Sequence, residues 1–317
     1  MLTPNVFAGA WVLALALAAS NQAPPPDDAL RAASRLLGAD TIRTLEFTAF
    51  GATFSVGQNF SPTDPWPRVT LKSYTALINY ETGSMRQDLV GEMGAVMPRG
   101  GGVPFTGELR QIETVSGRYA WNDPVPPNPQ AGSFPAACCT PPEAGGTPPV
   151  SAPAPESQAG CMLMLWATPQ GFAKAALANH ATRTKVSGGT AVSFLIDGKY
   201  KMTGLINAQN EVERVQTWVE QSIIGDMLVE TDYTGYKDFG GIRFPTHILQ
   251  KKDGFPALEL TVTSVQGDPP ADISVPDSVR NASPAVNVRR LKLDVQTIAP
   301  LHGMRTADMA EVASHSK

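Results

Sequence analysis

Between residues 191 and 266 the chain runs as short segments of alternating apolar and polar residues, each cut from the next by a tight-turn sequence. Ala191–Ile196 and Tyr200–Ile206 flank Asp197-Gly198, a pair suited to a two-residue hairpin turn with positive φ. Glu211–Val219 follows the turn at Asn207–Asn210. Leu228–Tyr236 comes next, and Ile242–Lys251 follows Gly240-Gly241. After Asp253-Gly254, Leu258, Leu260 and Val262 alternate with Glu259, Thr261 and Thr263. Six strands at this spacing specify an antiparallel meander. Sheets twist and curl as they widen, so the expected object is a curled antiparallel β-sheet, an open half-barrel, within a mainly β (α+β) fold.

The upstream sequence extends the pattern. Leu45, Phe47 and Ala49 alternate with Thr44, Glu46 and Thr48, and Phe54–Gln58 continues in that style. In Val69–Tyr80 the alternation places Val69, Leu71 and Ser73 opposite Thr70, Lys72 and Tyr74. Arg110–Ser116 and Tyr119–Trp121 read as strands, whereas Trp66, within SPTDPWPR, reads as exposed. One or two helices should cover the apolar face. Asp27–Leu37 has Asp27 or Asp28 as N-cap, a stripe of Leu30, Ala33, Leu36 and Leu37, and Gly38 as its stop. A second helix starts at Thr168-Pro169, with Phe172, Ala175, Ala176 and Asn179 on one face.

These elements place a curved β domain over residues 27–268, interrupted by a Pro-rich excursion at 123–160. A Pro-punctuated linker (269–286) and a terminal segment (287–317) with a short helix from about Thr306 follow. Residues 1–23 read as a signal peptide or an apolar N-terminal tail. Their apolar run from Val6 to Ala19 is shorter than the roughly 20 residues a bilayer span requires, and Ala18-Ala19-Ser20 supplies small residues at a cleavage position. The n-region lacks Lys and Arg. The expectation is an exported, periplasmic or secreted protein with no stable membrane span after cleavage.

Lys+Arg 25 against Asp+Glu 29 gives a net charge of −4, so no basic footprint points to nucleic acid. The four histidines, His180, His247, His302 and His315, are isolated, without an H-x-H or H-E-x-x-H pairing. No G-x-S-x-G elbow marks a serine nucleophile, and no catalytic residue is assigned. Gly100-Gly101-Gly102 reads as a loop, and Asp226, Glu230 and Asp232 read as a solvated sheet face. The sequon Asn281-Ala282-Ser283 is followed by Pro284 and is discounted. Cys138, Cys139 and Cys161 allow at most one disulfide. Phe47, Phe54, Tyr74, Trp121, Phe194, Trp218 and Tyr233 either line a concave face that encloses a ligand or form ordinary core.

Gly198–Gln266, Pro65–Glu81 and Met97–Asn122 resemble the N-terminal region of a group of exported bacterial metallo-β-lactamase-fold hydrolases, over about Ala29–Val279. In that group this region precedes the hydrolase core and carries none of its metal ligands. Asn287–Gly303 resembles the closing segment of the same core, which implies that His302 is a vestigial zinc ligand. The family signature H-x-H-x-D-H is absent from the chain. The resemblance therefore implies a non-catalytic relative that keeps the accessory N-terminal domain, lacks the zinc-binding core, binds no cofactor, and takes an apolar ligand or contacts a hydrolase partner. The alternatives are a zinc-dependent hydrolase or a truncated remnant without function. Tyr236–Ile248 (YKDFGGIRFPTHI) is also similar to periplasmic lipoprotein-carrier (LolA-like) domains, incomplete barrels that hold acyl chains. That likeness implies an apolar small molecule or lipid as partner.

Overall fold

Alternation of apolar and polar residues dictates most of what forms. The computed structural model describes residues 28–56, 61, 64–93, 108–125, 150–221 and 225–282. After α1 (Ala29–Leu36) come β1 (Thr44–Phe54), β2 (Arg68–Asn79), β3 (Ser84–Met93), β4 (Glu108–Ser116), β5 (Tyr119–Asn122) and β6 (Ala152–Pro153). Two helices follow, α2 (Gln158–Ala167) and α3 (Pro169–Ala178). Strands then continue as β7 (Thr182–Val186), β8 (Gly189–Ile196), β9 (Tyr200–Asn207), β10 (Val212–Gln221) and β11 (Gly225–Thr234). The series closes with β12 (Lys237–Asp238), β13 (Arg243–Phe244), β14 (His247–Lys252), β15 (Phe255–Gly267) and the short α4 (Asp277–Arg280).

All strands except the β12–β13 ribbon join one antiparallel sheet, ordered β6-β5-β4-β3-β2-β1-β15-β14-β11-β10-β9-β8-β7. The order is linear and does not close into a barrel. Helix α2 nevertheless packs against β3 and β4 on one side and β10 on the other. In a flat sheet β3 and β10 would lie about 29 Å apart, six spacings of about 4.8 Å, whereas a ten-residue helix is only about 15 Å long. One helix reaches both only because the sheet wraps around it. The curled open sheet expected from the sequence is the observed fold.

Local chemistry explains the joints. Asp197 and Gly198 both take positive φ (52° and 65°) in the β8–β9 hairpin, as do Asp253 and Gly254 (47° and 84°) between β14 and β15. At the α1 N-terminus the Leu30 N–H donates to Asp28 Oδ1 at 3.2 Å. Leu30, Ala33 and Leu37 are fully buried, but Leu36 is exposed and Ser34 takes its place on the inner face. Ser34 is accommodated there because its hydroxyl donates to Asp40.

Three expectations change because of bulges and covers. A register shift between Leu71 and Ser73 reverses the phase of β2. Tyr74, Ala76 and Ile78 therefore face the core, and Ser73 is exposed. Trp66 is buried, because its ring stacks on Phe255 at 5.5 Å. The strand expected over Ile242–Lys251 is divided at Pro245 into β13 and β14, since proline removes a ladder donor.

The Pro-rich excursion is clamped at its base. Trp121 Nε1 and Ser151 Oγ both donate to Asp123 Oδ1 at 2.8 Å, and Thr114 Oγ1 donates to Asp123 Oδ2 at 2.9 Å. The chain beyond β15 is anchored as well. Asp268 Oδ1 accepts the N–H groups of Arg43 (2.8 Å) and Thr44 (3.2 Å), and α4 lies against β5 and β6 with Val279 buried. The Gly100–Gly102 loop, Gln58, Cys138, Cys139, His302, His315, the apolar N-terminal run and the segment from Ser283 onward lie outside the described residues.

Candidate functional site: two cavities at one helix corner

The inner surface of the sheet carries the aromatic residues that the sequence singled out, but not all of them. Phe47 packs on Tyr74 (5.7 Å between ring centroids) and on Phe244 (5.2 Å). Phe194 packs on Phe172 of α3 at 5.4 Å, and Tyr233 is buried beneath α2 with its hydroxyl donating to the Ala167 carbonyl at 2.7 Å. Trp121 is buried but is occupied with Asp123. Phe54 is half-buried at the end of β1. Trp218 is 40% exposed, because the buried Thr217 takes the inward position beside it.

Helix α2 has an unusual composition for a surface helix. Its sequence, QAGCMLMLWA, buries Cys161, Met162, Leu163, Leu165 and Ala167. A helix apolar on nearly every side belongs between layers, and this one fills the trough of the sheet. Thr168 then turns the chain into α3, its side chain accepting from the Gly171 N–H at 3.3 Å. The Tyr80 hydroxyl lies 3.0 Å from Thr168 Oγ1 and fixes this corner to the end of β2. Gln170 fixes it on the other side, with Nε2 donating to the carbonyls of Leu37 (3.2 Å) and Arg243 (3.0 Å).

A cavity lies on each side of the corner. The interior one, about 40 Å³, sits between helix layer and sheet and is bounded by Phe47, Tyr74, Met164, Tyr233, Phe244 and Leu260. Successive residues of the corner divide the two spaces. Ala167 faces the interior cavity, while Trp166 faces an open groove of about 400 Å³. Tyr80, Lys174, Ala175, Ala178, Asn179, Ile196 and Asp197 complete the groove wall. Trp166 and Tyr80 have ring centroids 6.3 Å apart, and the Lys174 ammonium lies 5.7 Å from the centre of the Tyr80 ring. Burial lowers the Lys174 pKa from its ordinary value, against the pull of Asp40, Asp268 and Glu81.

The trough also contains polar groups. The Tyr74 hydroxyl donates to Gln87 Oε1 at 2.7 Å, and Gln111 Nε2 donates to Glu113 Oε1 at 2.6 Å. Burial pushes the Glu113 carboxyl above its usual range, with Lys252 opposing that shift. Asp226, Glu230 and Asp232 lie on the opposite, outer face. There Lys251 bridges Glu230 (3.6 Å) and Asp232 (2.8 Å), and Arg214 reaches Asp232 at 2.6 Å.

Of the histidines, His180 follows α3 and is exposed, and His247 lies on β14, 3.8 Å from Glu259. Among the described residues no group of three or more His, Cys, Asp or Glu is placed to hold a metal ion. No described helix is long and apolar enough to cross a membrane. The groove residues Tyr80, Trp166, Lys174 and Asp197 were not legible as a set in the sequence, since four separate elements or turns supply them.

No protein-family model matches this chain, and no curated protein matches it, so the relation to metallo-β-lactamase-fold hydrolases has no support from these comparisons. Among solved structures it is similar to a LolA superfamily protein from Nitrosomonas europaea, with 15% identity and a TM-score of 0.34 over 78% of this chain and 96% of that one. It is also similar to a DUF1329 family protein from Desulfovibrio piger, with 10% identity and a TM-score of 0.31 over 79% of this chain and 94% of that one.

Proposed function

We propose that this protein is a non-catalytic binder of an apolar or amphipathic small molecule, working outside the cytoplasm. The observation that carries the reading is the α2–α3 corner, with an aromatic-walled groove of about 400 Å³ on one side and a packed apolar trough on the other. Such a volume falls within the range of about 300–1,000 Å³ typical of small-molecule pockets. The interior cavity of about 40 Å³ has room for roughly one water, whose share of liquid volume is about 30 Å³. The groove is therefore the receiving surface.

Native mass spectrometry of the purified protein tests this reading, together with titration by an apolar fluorescent probe. A co-purifying small molecule or saturable probe uptake is expected. A protein that carries nothing and takes up no probe would remove the proposal.

The remaining assignments rest on the sequence. Export rests on the apolar run Val6–Ala19, and N-terminal sequencing of the mature protein checks it. The division into a β domain (27–268), a linker (269–286) and a hydrolase remnant (287–317), with His302 as a vestigial ligand and no resident cofactor, rests on the resemblance described above. Stoichiometric metal retained through dialysis would overturn that reading and favour a zinc-dependent hydrolase.

A further inference from the structure

We propose that the groove beside the α2–α3 corner takes a single-chain anionic amphiphile, its carboxylate paired with Lys174 and its chain lying along Trp166, Ala178 and Ile196. This inference rests on the small-molecule-binding reading above and adds the chemical class of the ligand.

The argument starts from Lys174. Its ammonium is drawn into the groove wall and faces the Tyr80 ring, yet it forms no ion pair with a described residue. The acids that act on it from neighbouring elements are Asp40, Asp268 and Glu81, at longer range. Desolvating an ammonium without a paired anion is unfavourable, and a ligand carboxylate would supply the missing partner through a charge-assisted hydrogen bond. Asp197 stands on the β8–β9 turn within the same wall. Its carboxylate disfavours negative charge near that turn, so the anionic end of the ligand is placed at Lys174 and the part beside Asp197 is uncharged.

Shape restricts the uncharged part. Trp166, Ala175, Ala178 and Ile196 form an apolar surface, with the two alanines leaving the floor open. At about 30 Å³ per water-sized group, the space holds on the order of a dozen non-hydrogen atoms. That suits one acyl chain and is too small for a two-chain lipid.

The test compares dodecanoate with dodecanol by calorimetric titration of the full-length purified protein, using Lys174→Met, Lys174→Arg and Ala178→Trp. Ala178 is exposed, so the added indole obstructs the groove without entering the core, and thermal melts confirm that each variant folds. Dodecanoate should bind at least tenfold more tightly than dodecanol. Lys174→Met should remove that preference by weakening dodecanoate at least tenfold relative to dodecanol, Lys174→Arg should retain it, and Ala178→Trp should weaken both ligands at least tenfold. Equal dodecanoate affinity in wild type and Lys174→Met would overturn the role of Lys174. Undiminished binding to Ala178→Trp would overturn the groove as the site while leaving the small-molecule reading in place. If neither probe binds the wild-type protein, the amphiphile assignment falls, while the small-molecule reading is decided by native mass spectrometry and fluorescent-probe uptake.

Discussion

The two faces of the large sheet share strands and registers but use their side chains in opposite ways. On the outer face, Arg214, Glu230, Asp232 and Lys251 form a half-buried charge network at the solvent boundary, and Arg110 clasps Asp88. On the inner face the contacts interlock. Gly204 of β9 leaves room for the Phe172 ring, whose Cζ would sit 2.3 Å from an added Cβ, and Phe172 in turn touches Phe194. A side chain on the outer face can change and its neighbours reorient in solvent. On the inner face a change of one methyl has to be absorbed by a helix. The comparison separates what holds the sheet wrapped around its helices from what it presents to water.

The contrast can be tested by substitution. Phe172→Ala should have the largest effect, destabilising by roughly 3–5 kcal/mol as expected for a buried aromatic truncated in a core, read from the denaturant midpoint. Gly204→Ala should cost about 1–3 kcal/mol by overpacking. Combining it with Phe172→Leu should cost less than the sum of the two single changes, because the residues share one space. Tyr233→Phe removes the hydroxyl that serves the Ala167 carbonyl and should cost about 1–2 kcal/mol. Arg214→Ala on the outer face should cost less than about 1 kcal/mol. An outer-face change as damaging as Phe172→Ala would erase the distinction.

Titration should separate the faces by sign. Burial disfavours the Asp232 charge, but its hydrogen bonds to Lys251 and Arg214 outweigh burial and hold its carboxyl below the ordinary range. Its stabilising contribution is therefore complete above the unfolded-state value and is lost as pH falls through the folded-state value. Glu113 on the inner face has a raised pKa caused chiefly by burial. Its contribution is complete below the unfolded-state value, about 4.3 for Glu, and is lost as pH rises through the folded-state value. Glu113→Gln should consequently raise the melting temperature at pH 7 and have little effect at pH 3. A variant that is less stable at pH 7 would contradict this.

The hairpins, the caps of α1 and α3 and the inward positions of β1 and β15 were legible because each depends on neighbours in sequence. The missed elements depend on something else. β3 (SMRQDLVGEM) mixes polar residues into both faces, since Gln87 points inward toward Tyr74. β7 (TRTKV) is exposed at every position as an edge strand, so it has no alternation to read. α2 lacks a polar stripe because both of its sides are covered, and helical periodicity vanishes when there is no solvent face. Trp218 looked like a lining residue, but strand parity places it outward. The groove required knowing that the sheet curls far enough to bring the β8–β9 turn beside the end of β2.

The clamp at Asp123 bears on how this chain can change over time. Its hydrogen bonds to Trp121 and Ser151 hold both ends of the proline-rich insertion together at the edge of the sheet. For a closed loop each doubling in length costs only about 0.6 kcal/mol. Because Asp123 joins the two ends, the length between them enters the closure cost only as a logarithm.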